Sequence, residues 1–318
     1  LKVAAQKLMT QLLLDPGDPP DWGSNVTIDE SSLKAFGLAK YSETTREAYV
    51  LDPDKVYRLN DALLLLNNTR SLFIPPSRVI NLLNLGNEYG FALEIFPALN
   101  VSIAPGKDSG KYEFSVSSEY GGLPIFGANV TATMYYYDAS SQKIASKSTP
   151  PNLQTGIGGK CVVDFGSIPT TEMKILTLVV DYYSVRVAKV FPAGLNVKRA
   201  HLLGDHLFLS EDETISNNAI QILMTRKAGR YVIENVTSIL NMVSPGKFDL
   251  TYVEPSAVAI LAVSEDGTRL IFTSKEVNLA YSSIPGVWSF PFAYSVERSV
   301  IIGGSAYIMR LYLWRMSW

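Results

Sequence analysis

Residues 12–23 read LLLDPGDPPDWG and mark the place where the first predicted helix must stop. Residues 1–12 place apolar side chains on one helical stripe: Leu1, Ala4, Ala5, Leu8 and Leu12. Proline removes a backbone donor and restricts the residue before it, and glycine permits a positive φ. We therefore predict an amphipathic helix over residues 1–14 that ends abruptly, followed by Trp22 as a large anchor for a folded head.

The composition limits the classes of function. The chain has 318 residues, of which 47% are hydrophobic, enough for two domains with real cores. Its 28 basic and 30 acidic residues give a formal net charge of -2, without a long run of like charge. Because nucleic-acid binders carry a basic surplus or stripe, we expect no nucleic-acid partner.

The chain has one cysteine, Cys161, in the segment GKCVVDF. A single cysteine excludes a disulfide within the chain and a zinc site built from several cysteines. The alternating pattern around it is typical of a strand, so we expect Cys161 to be a small buried hydrophobic residue and not a nucleophile.

From residue 90 onward the pattern is that of short strands. KYEFSVSSE alternates strictly, and turn signals such as DAS and TGIGG separate it from later apolar runs. In RSVIIGGSAYIMRLYLWRM, Gly303 and Gly304 are predicted to form the two-residue turn of a hairpin. The fold class is therefore mainly β with N-terminal helices: an immunoglobulin-like β-sandwich plus a second, β-rich α+β domain.

The same patterns predict the division of the chain. Residues 1–22 are expected to form a stalk helix with a Pro-rich junction, and residues 105–193 the sandwich. Residues 23–104 include two helix starts, at Asp52-Pro53 and at Pro76. These helices cannot form a sheet without partners, so we expect residues 23–104 to pack with 194–318 as one α+β domain.

Five Asn-x-Ser/Thr triplets suggest N-glycosylation and an extracellular location: those that begin at Asn25, Asn67, Asn100, Asn129 and Asn235. The alternative is that Asn-Val-Thr simply suits a transition from turn to strand.

Only two histidines are present, His201 and His206, with Asp205 between them. Two histidines and one carboxylate could bind a metal ion, which would favour a metal-dependent hydrolase. The simpler interpretation is that of two ordinary histidines at the edges of a loop, and we expect no metal, no cofactor and no catalytic group. The carboxylates of residues 210–213, SEDE, are expected to form a solvated loop.

Consecutive tyrosines in a strand face opposite sides, so some tyrosines of the YYY run must point outward. We considered Tyr135 and Tyr137 as residues that could stack on sugars or on a partner protein. They would support the alternative function of an extracellular carbohydrate- or ligand-binding module.

Three segments resemble known proteins. LLLDPGDPPDWG after an amphipathic helix resembles the juncture in archaeal surface proteins with a type IV pilin-like N-terminus. The end, AYSVERSVIIGGSAYIMRLYLWRMSW, is similar to the C-terminal hairpin of such proteins. GLPIFGANVTATMYYYD and TGIGGKCVVDFG together resemble the immunoglobulin-like repeats of cell-surface proteins.

The resemblance implies a non-enzymatic, extracellular surface protein with a structural, adhesive or assembly role. Its expected partners are other surface or filament subunits, and possible further partners are glycans. Membrane attachment is expected only through a helix upstream of Leu1.

Overall fold

The computed structural model of the 318-residue chain describes its residues apart from 44–46, 107–109, 120–121, 151–152, 169–171, 216–220, 228–229, 237–240, 251–252, 254–258, 275, 285–291 and 317–318. The side chains of residues 221–227, 230–236, 241 and 259–260 also lie outside the described set.

The chain is mainly β, as predicted, with 45% strand and 14% helix. Its helices are α1 (Lys2–Leu14), α2 (Pro53–Tyr57) and α3 (Pro76–Leu82), with 3-10 helices at Asp61–Leu65 and Asn67–Leu72. Its strands are β1 (Val50–Leu51), β2 (Tyr89–Pro97), β3 (Leu99–Pro105), β4 (Lys111–Ser118), β5 (Asn129–Asp138), β6 (Lys143–Ser148), β7 (Leu153–Gln154), β8 (Lys160–Asp164), β9 (Lys174–Tyr182), β10 (Val185–Pro192), β11 (Val197–Arg199), β12 (His201–Leu203), β13 (His206–Phe208), β14 (Gln221–Lys227), β15 (Arg230–Val236), β16 (Asn241–Ser244), β17 (Lys247–Asp249), β18 (Ala259–Val263), β19 (Leu270–Phe272), β20 (Leu279–Ser282), β21 (Tyr294–Ile302) and β22 (Ser305–Arg315).

The chain forms two compact units. Unit 1 comprises residues 1–96, 202–211 and 277–318, and unit 2 comprises residues 97–201 and 212–276. This division differs from the predicted one at three places: residues 1–22 belong to unit 1, the sandwich begins earlier, and residues 194–201 and 212–276 belong to unit 2. β3 pairs with β4 along its whole length, so the sandwich begins before residue 105. Residues 212–276 belong to unit 2, because strands in this segment add a further sheet to it.

Unit 1 is built on a five-stranded sheet in the order β1-β21-β22-β2-β20. α1 packs on β21 and β22 and buries Leu8, Met9 and Leu12 against them in a single core. The helix over residues 1–14 is confirmed, but it is part of the core of unit 1 and not a separate stalk.

The hairpin β21–β22 turns at Gly303 and Gly304, as predicted. Ile302 pairs with Ser305, which leaves two residues in the turn. Their φ values are 56° and 81°, and a two-residue turn with positive φ at both positions is one that glycine adopts without strain.

The Pro-rich stretch turns the chain back under α1. Asp18 forms an antiparallel bridge with Ala35, and Trp22 is fully buried, as predicted for an anchor. The Trp22 indole N–H donates to the carbonyl oxygens of Pro16 at 3.1 Å and Gly37 at 3.2 Å. A Cβ at Gly37 would come within 2.0 Å of the Asp15 carbonyl oxygen, so this turn depends on glycine.

α2 begins where it was predicted to begin. Asp52 caps it, because its Oδ1 accepts from the backbone N–H groups of Asp54 and Lys55, and Pro53 follows as the first helical residue. α2 then ends at Tyr57, and Asn60 caps the next 3-10 helix.

Two fully buried cations lie at α2: Lys55 within the helix and Arg58 directly after it. The Lys55 Nζ donates to the carbonyl oxygens of Pro16 at 2.8 Å and Ala39 at 2.9 Å. The Arg58 guanidinium donates to the buried carbonyl oxygens of Trp22, Ile28 and Leu72 and, at 3.5 Å, to that of Asn25. Burial lowers the pKa of Arg58 to about 10, so it stays charged at neutral pH.

Three of the sheets in the described part of unit 2 pack face to face. The front sheet has the order β3-β4-β8, the middle sheet β10-β9-β5-β6 with β7 on β5, and the back sheet β11-β19-β18-β14-β15. One core lies between the front and middle sheets and contains Phe114 and Leu178. A second core lies between the middle and back sheets and contains Ile175 and Phe272. Residues 175–180 of β9 are therefore buried on both faces of the middle sheet.

Arg58→Met should lower the free energy of unfolding by about 3 kcal/mol or more, because it leaves three buried carbonyl groups without their donor. The matched control is Arg78→Met. Arg78 also donates to loop carbonyls, those of Glu30 and Leu33, but the first of these bonds is exposed, so water can replace it in part.

The control should lose less than about 1 kcal/mol. Chemical denaturation of both variants measures the difference. Equal losses would show that the burial of Arg58 has no special importance.

Candidate functional site

Two of the five glycosylation triplets present both of their reactive side chains at the surface. Asn100 and Ser102 are exposed on β3, which forms an edge of the front sheet. Asn129 and Thr131 are exposed at the start of β5, where the Asn129 Oδ1 accepts from Gln154 Nε2 at 2.9 Å.

Two further triplets are less open. Asn67 is exposed, but Thr69 is fully buried and its hydroxyl donates to the Leu63 carbonyl at 2.6 Å. Asn25 is half-buried, and its Oδ1 accepts from both the backbone N–H and the hydroxyl of Thr27. The side chain of Asn235 lies outside the described residues.

The structure gives Tyr135 no exposed face. It is 1% exposed and lies in the core between the middle and back sheets, and Tyr137 packs against the same core. Stacking of a ligand on Tyr135, which the sequence suggested, is therefore wrong. The alternation of the strand was interpreted correctly, but the outward face of the sandwich is covered at this point by the back sheet.

His201 and His206 occupy different environments. His201 is buried in β12, and burial together with the charge of Arg199 lowers its pKa to about 4. His206 is half-buried in β13, with its ring 6.4 Å from that of Phe208, and Asp205 is exposed in the intervening turn. Among the described residues, no group of three His, Cys, Asp or Glu side chains is placed to hold a metal ion.

Cys161 is a buried residue of β8, as expected, and faces the core of the front and middle sheets. Burial raises the pKa of its thiol to about 11, so the thiolate needed for nucleophilic attack is scarce at neutral pH.

One carboxylate of the SEDE segment is not solvated. Glu213 is buried and accepts from Lys198 Nζ and, at 2.7 Å, from Arg269. The expected solvated loop is wrong for this residue, because two distant cations of unit 2 converge on it. The two cations compensate the charge of this buried carboxylate through its Oε1.

Unit 1 contains a cleft of about 420 Å³ beside the C-terminal end of α1. Its lining mixes apolar and charged side chains, among them Leu13, Leu14, Tyr41, Glu43 and Glu47. None of the site residues suggested by the sequence lines this cleft.

Sequence reasoning missed an exposed group of apolar side chains at one end of unit 2. We call the group of Leu123, Phe126, Ile157 and Tyr183 the apolar loop end. These residues are 67%, 66%, 95% and 91% exposed, respectively. The available signal was the presence of large apolar residues inside Gly- and Pro-rich turns, GLPIFG and TGIGG, where polar residues are usual.

The comparisons with known proteins give no match: neither the models of protein families nor the curated proteins contain one. Within the described part of the chain, none of the helices combines the length and the apolar character needed to cross a membrane.

The protein should lose stability as the pH falls from about 6.5 towards 4. His201 stays neutral in the folded chain down to a pKa of about 4, whereas an unfolded histidine takes up a proton near 6.5. The unfolded state thus binds more protons in this window, which favours unfolding at lower pH by up to about 3 kcal/mol.

Denaturation of wild type and His201→Asn across this range tests the assignment, and the pH dependence should be shallower in the variant. If His201→Asn keeps the wild-type pH dependence, His201 is not the group responsible.

Proposed function

We propose that this chain is an extracellular surface protein without catalytic activity, with a structural, adhesive or assembly role. The observation that carries the proposal is the exposure of both side chains in the triplets at Asn100 and Asn129. An enzyme that attaches a glycan to Asn-x-Ser/Thr needs access to these groups.

The position of Asn100 gives a glycan a physical role. β3 is an edge strand, and a strand at the edge of a sheet presents unpaired backbone groups that can pair with another chain. A hydrated glycan on Asn100 would stand beside that edge and hinder uncontrolled pairing between neighbouring molecules on a crowded surface.

The cores of the two units also suit an exposed location without disulfides. Each unit buries its own large apolar cluster, around Trp22 and Met309 in unit 1 and around Phe114 and Leu178 in unit 2. Domains with cores of this size do not need disulfide bonds to fold outside the cell. The partners proposed on this basis are other surface or filament subunits, and glycans.

Native protein recovered from intact cells should carry glycans at Asn100 and Asn129. Mass spectrometry of its peptides should show the added mass at these positions, and Asn100→Gln and Asn129→Gln should each remove one such mass. Asn67→Gln is the control and should leave the number of attached glycans unchanged, because Thr69 is buried.

Protease added to intact cells tests the location itself. A surface protein should be cleaved under conditions that spare cytoplasmic proteins. Full resistance, together with unmodified triplets, would refute the proposed location.

A further inference from the structure

The glycosylation triplet at Asn129 lies at the apolar loop end. Asn129 at the start of β5 pairs with Asp181 near the end of β9 and with Gln154 at the end of β7. The β4–β5 connection, the β7–β8 connection and the β9–β10 turn therefore lie side by side around it. The first of these carries Phe126 and the second carries Ile157. A glycan attached to Asn129 would start among exposed apolar side chains.

Phe126 precedes Asn129 by only three residues, in the segment FGANVT. The chain between them spans at most about 11 Å, a distance that the two side chains and one sugar ring can bridge. The Phe126 side chain is 66% exposed, and Asn129 and Thr131 are exposed as well. The aromatic ring therefore has surface available within reach of the first sugar.

The side-chain amide of Asn129 has a fixed orientation. Its Oδ1 accepts from Gln154 Nε2 on β7 at 2.9 Å. Because the oxygen and the nitrogen of an amide point in different directions, this bond directs Nδ2, the atom that receives a glycan, away from β7. The first sugar thus leaves the sheet in a defined direction.

The turn that carries Phe126 is held by Thr155, which is buried. The Thr155 hydroxyl donates to the Ile125 carbonyl at 2.6 Å and accepts from the Ala128 N–H at 2.9 Å. The Thr155 carbonyl accepts from the Gly127 N–H at 2.9 Å. The backbone on both sides of Phe126 is therefore fixed, and a contact with its ring requires little further ordering of the chain.

The surroundings of Phe126 combine apolar and polar groups. Residues 122–129 and 153–159 contain no Asp, Glu, Lys, Arg or His, but exposed Glu119 belongs to the same connection as Phe126. A purely apolar occupant would have to remove water from this carboxylate. A sugar ring has C–H groups on its faces and hydroxyl groups around its edge, so it can cover the apolar side chains and leave Glu119 hydrated.

We propose that the glycan on Asn129 folds back on the apolar loop end and that its first sugar stacks on the ring of Phe126. This inference rests on the proposed function, which supplies the glycan. The covalent bond to Asn129 keeps the sugar beside the ring at a high effective concentration, an advantage that no separate ligand has. The ring of Tyr183 already packs against that of Tyr182, at 4.7 Å between centroids, and the proposal does not require it.

The stacked glycan would have a physical role. Exposed apolar side chains that lie close together favour association with other molecules. A sugar over Phe126 replaces part of this surface with hydroxyl groups, while Ile157, 95% exposed, lies on the neighbouring connection within the volume that a longer glycan occupies.

Asn100 provides a comparison within the same chain. It is also exposed, but its neighbours on β3, Leu99 and Val101, are buried. Among the described residues of β3 and β4, none has a large apolar side chain that is exposed. A glycan on Asn100 therefore has no ring to stack on.

A double-mutant cycle on the glycosylated 318-residue chain tests the contact. Wild type, Phe126→Ser, Asn129→Gln and the double variant are produced in cells that modify the chain, and mass spectrometry verifies which sites carry glycans. With the Asn129 glycan present, Phe126→Ser should raise the equilibrium constant for unfolding about three- to tenfold. In the Asn129→Gln background it should have little effect, because the exposed ring then faces water.

Two control variants separate this contact from other effects. Asn100→Gln removes the other exposed glycan, and Phe126→Ser should have the same effect in this background as in wild type. Leu195→Ser replaces a side chain that is 85% exposed and follows β10, at the opposite end of that strand from the loop end. Its effect should not depend on the Asn129 glycan. In NMR spectra, nuclear Overhauser effects should connect the Phe126 ring protons with C–H protons of the first sugar.

Two results would overturn the inference, and they differ in what else they overturn. If Asn129 carries a glycan but Phe126→Ser has the same effect with and without it, the stacking is refuted and the proposed function is untouched. If mass spectrometry finds Asn129 and Asn100 unmodified in native protein, the inference fails together with the observation on which the proposed function rests.

Discussion

Unit 1 depends on two buried cations that are bonded to main-chain carbonyl groups. Lys55 on α2 and Arg58, the residue after α2, together donate to six carbonyl oxygens: those of Pro16, Trp22, Asn25, Ile28, Ala39 and Leu72. Burying a charge is unfavourable unless hydrogen bonds replace its hydration, and here the backbone supplies them. The two side chains in turn donate hydrogen bonds to loop carbonyl groups that are buried away from water and have no partner in a helix or strand. Burial lowers the pKa of Lys55 to about 8, because desolvation disfavours its charged form.

The same cations explain why the Pro-rich stretch after α1 has a definite path. Prolines end the helix, but they leave the next direction of the chain open. The carbonyls of Pro16 and Trp22 are fixed by Lys55 and Arg58, and the Trp22 indole closes the turn on Gly37. α1 is thereby held on the sheet of unit 1, and the abrupt stop seen in the sequence is a reversal inside one core.

Local signals predicted local features well. The Gly303-Gly304 turn, the cap at Asp52, the burial of Trp22 and Cys161, and the mainly β class follow from short patterns that neighbouring residues enforce. Features that depend on distant segments were not predictable. The alternation around Tyr135 shows which residues share a face, but the cover of that face comes from Leu261 and Phe272, more than a hundred residues later. For the same reason Glu213 looked solvated. The positions of the glycosylation triplets can be read from the sequence. Their exposure, and the clustering of exposed apolar side chains at the apolar loop end, can be seen only in the folded structure.

The middle sheet of unit 2 has a consequence for how the protein is made. Its β9 is covered on one side by strands that precede it and on the other by β18 and β19, which follow it by about eighty residues. A chain emerging from the ribosome can close the first core as soon as β10 is out, yet the opposite face, with Ile175 and Val190, stays open until residue 272 has been synthesised. During that interval the nascent protein displays a broad apolar sheet face, a surface of the kind that aggregates or recruits chaperones. Slower translation between residues 193 and 272 would therefore lengthen the time for which this face is exposed.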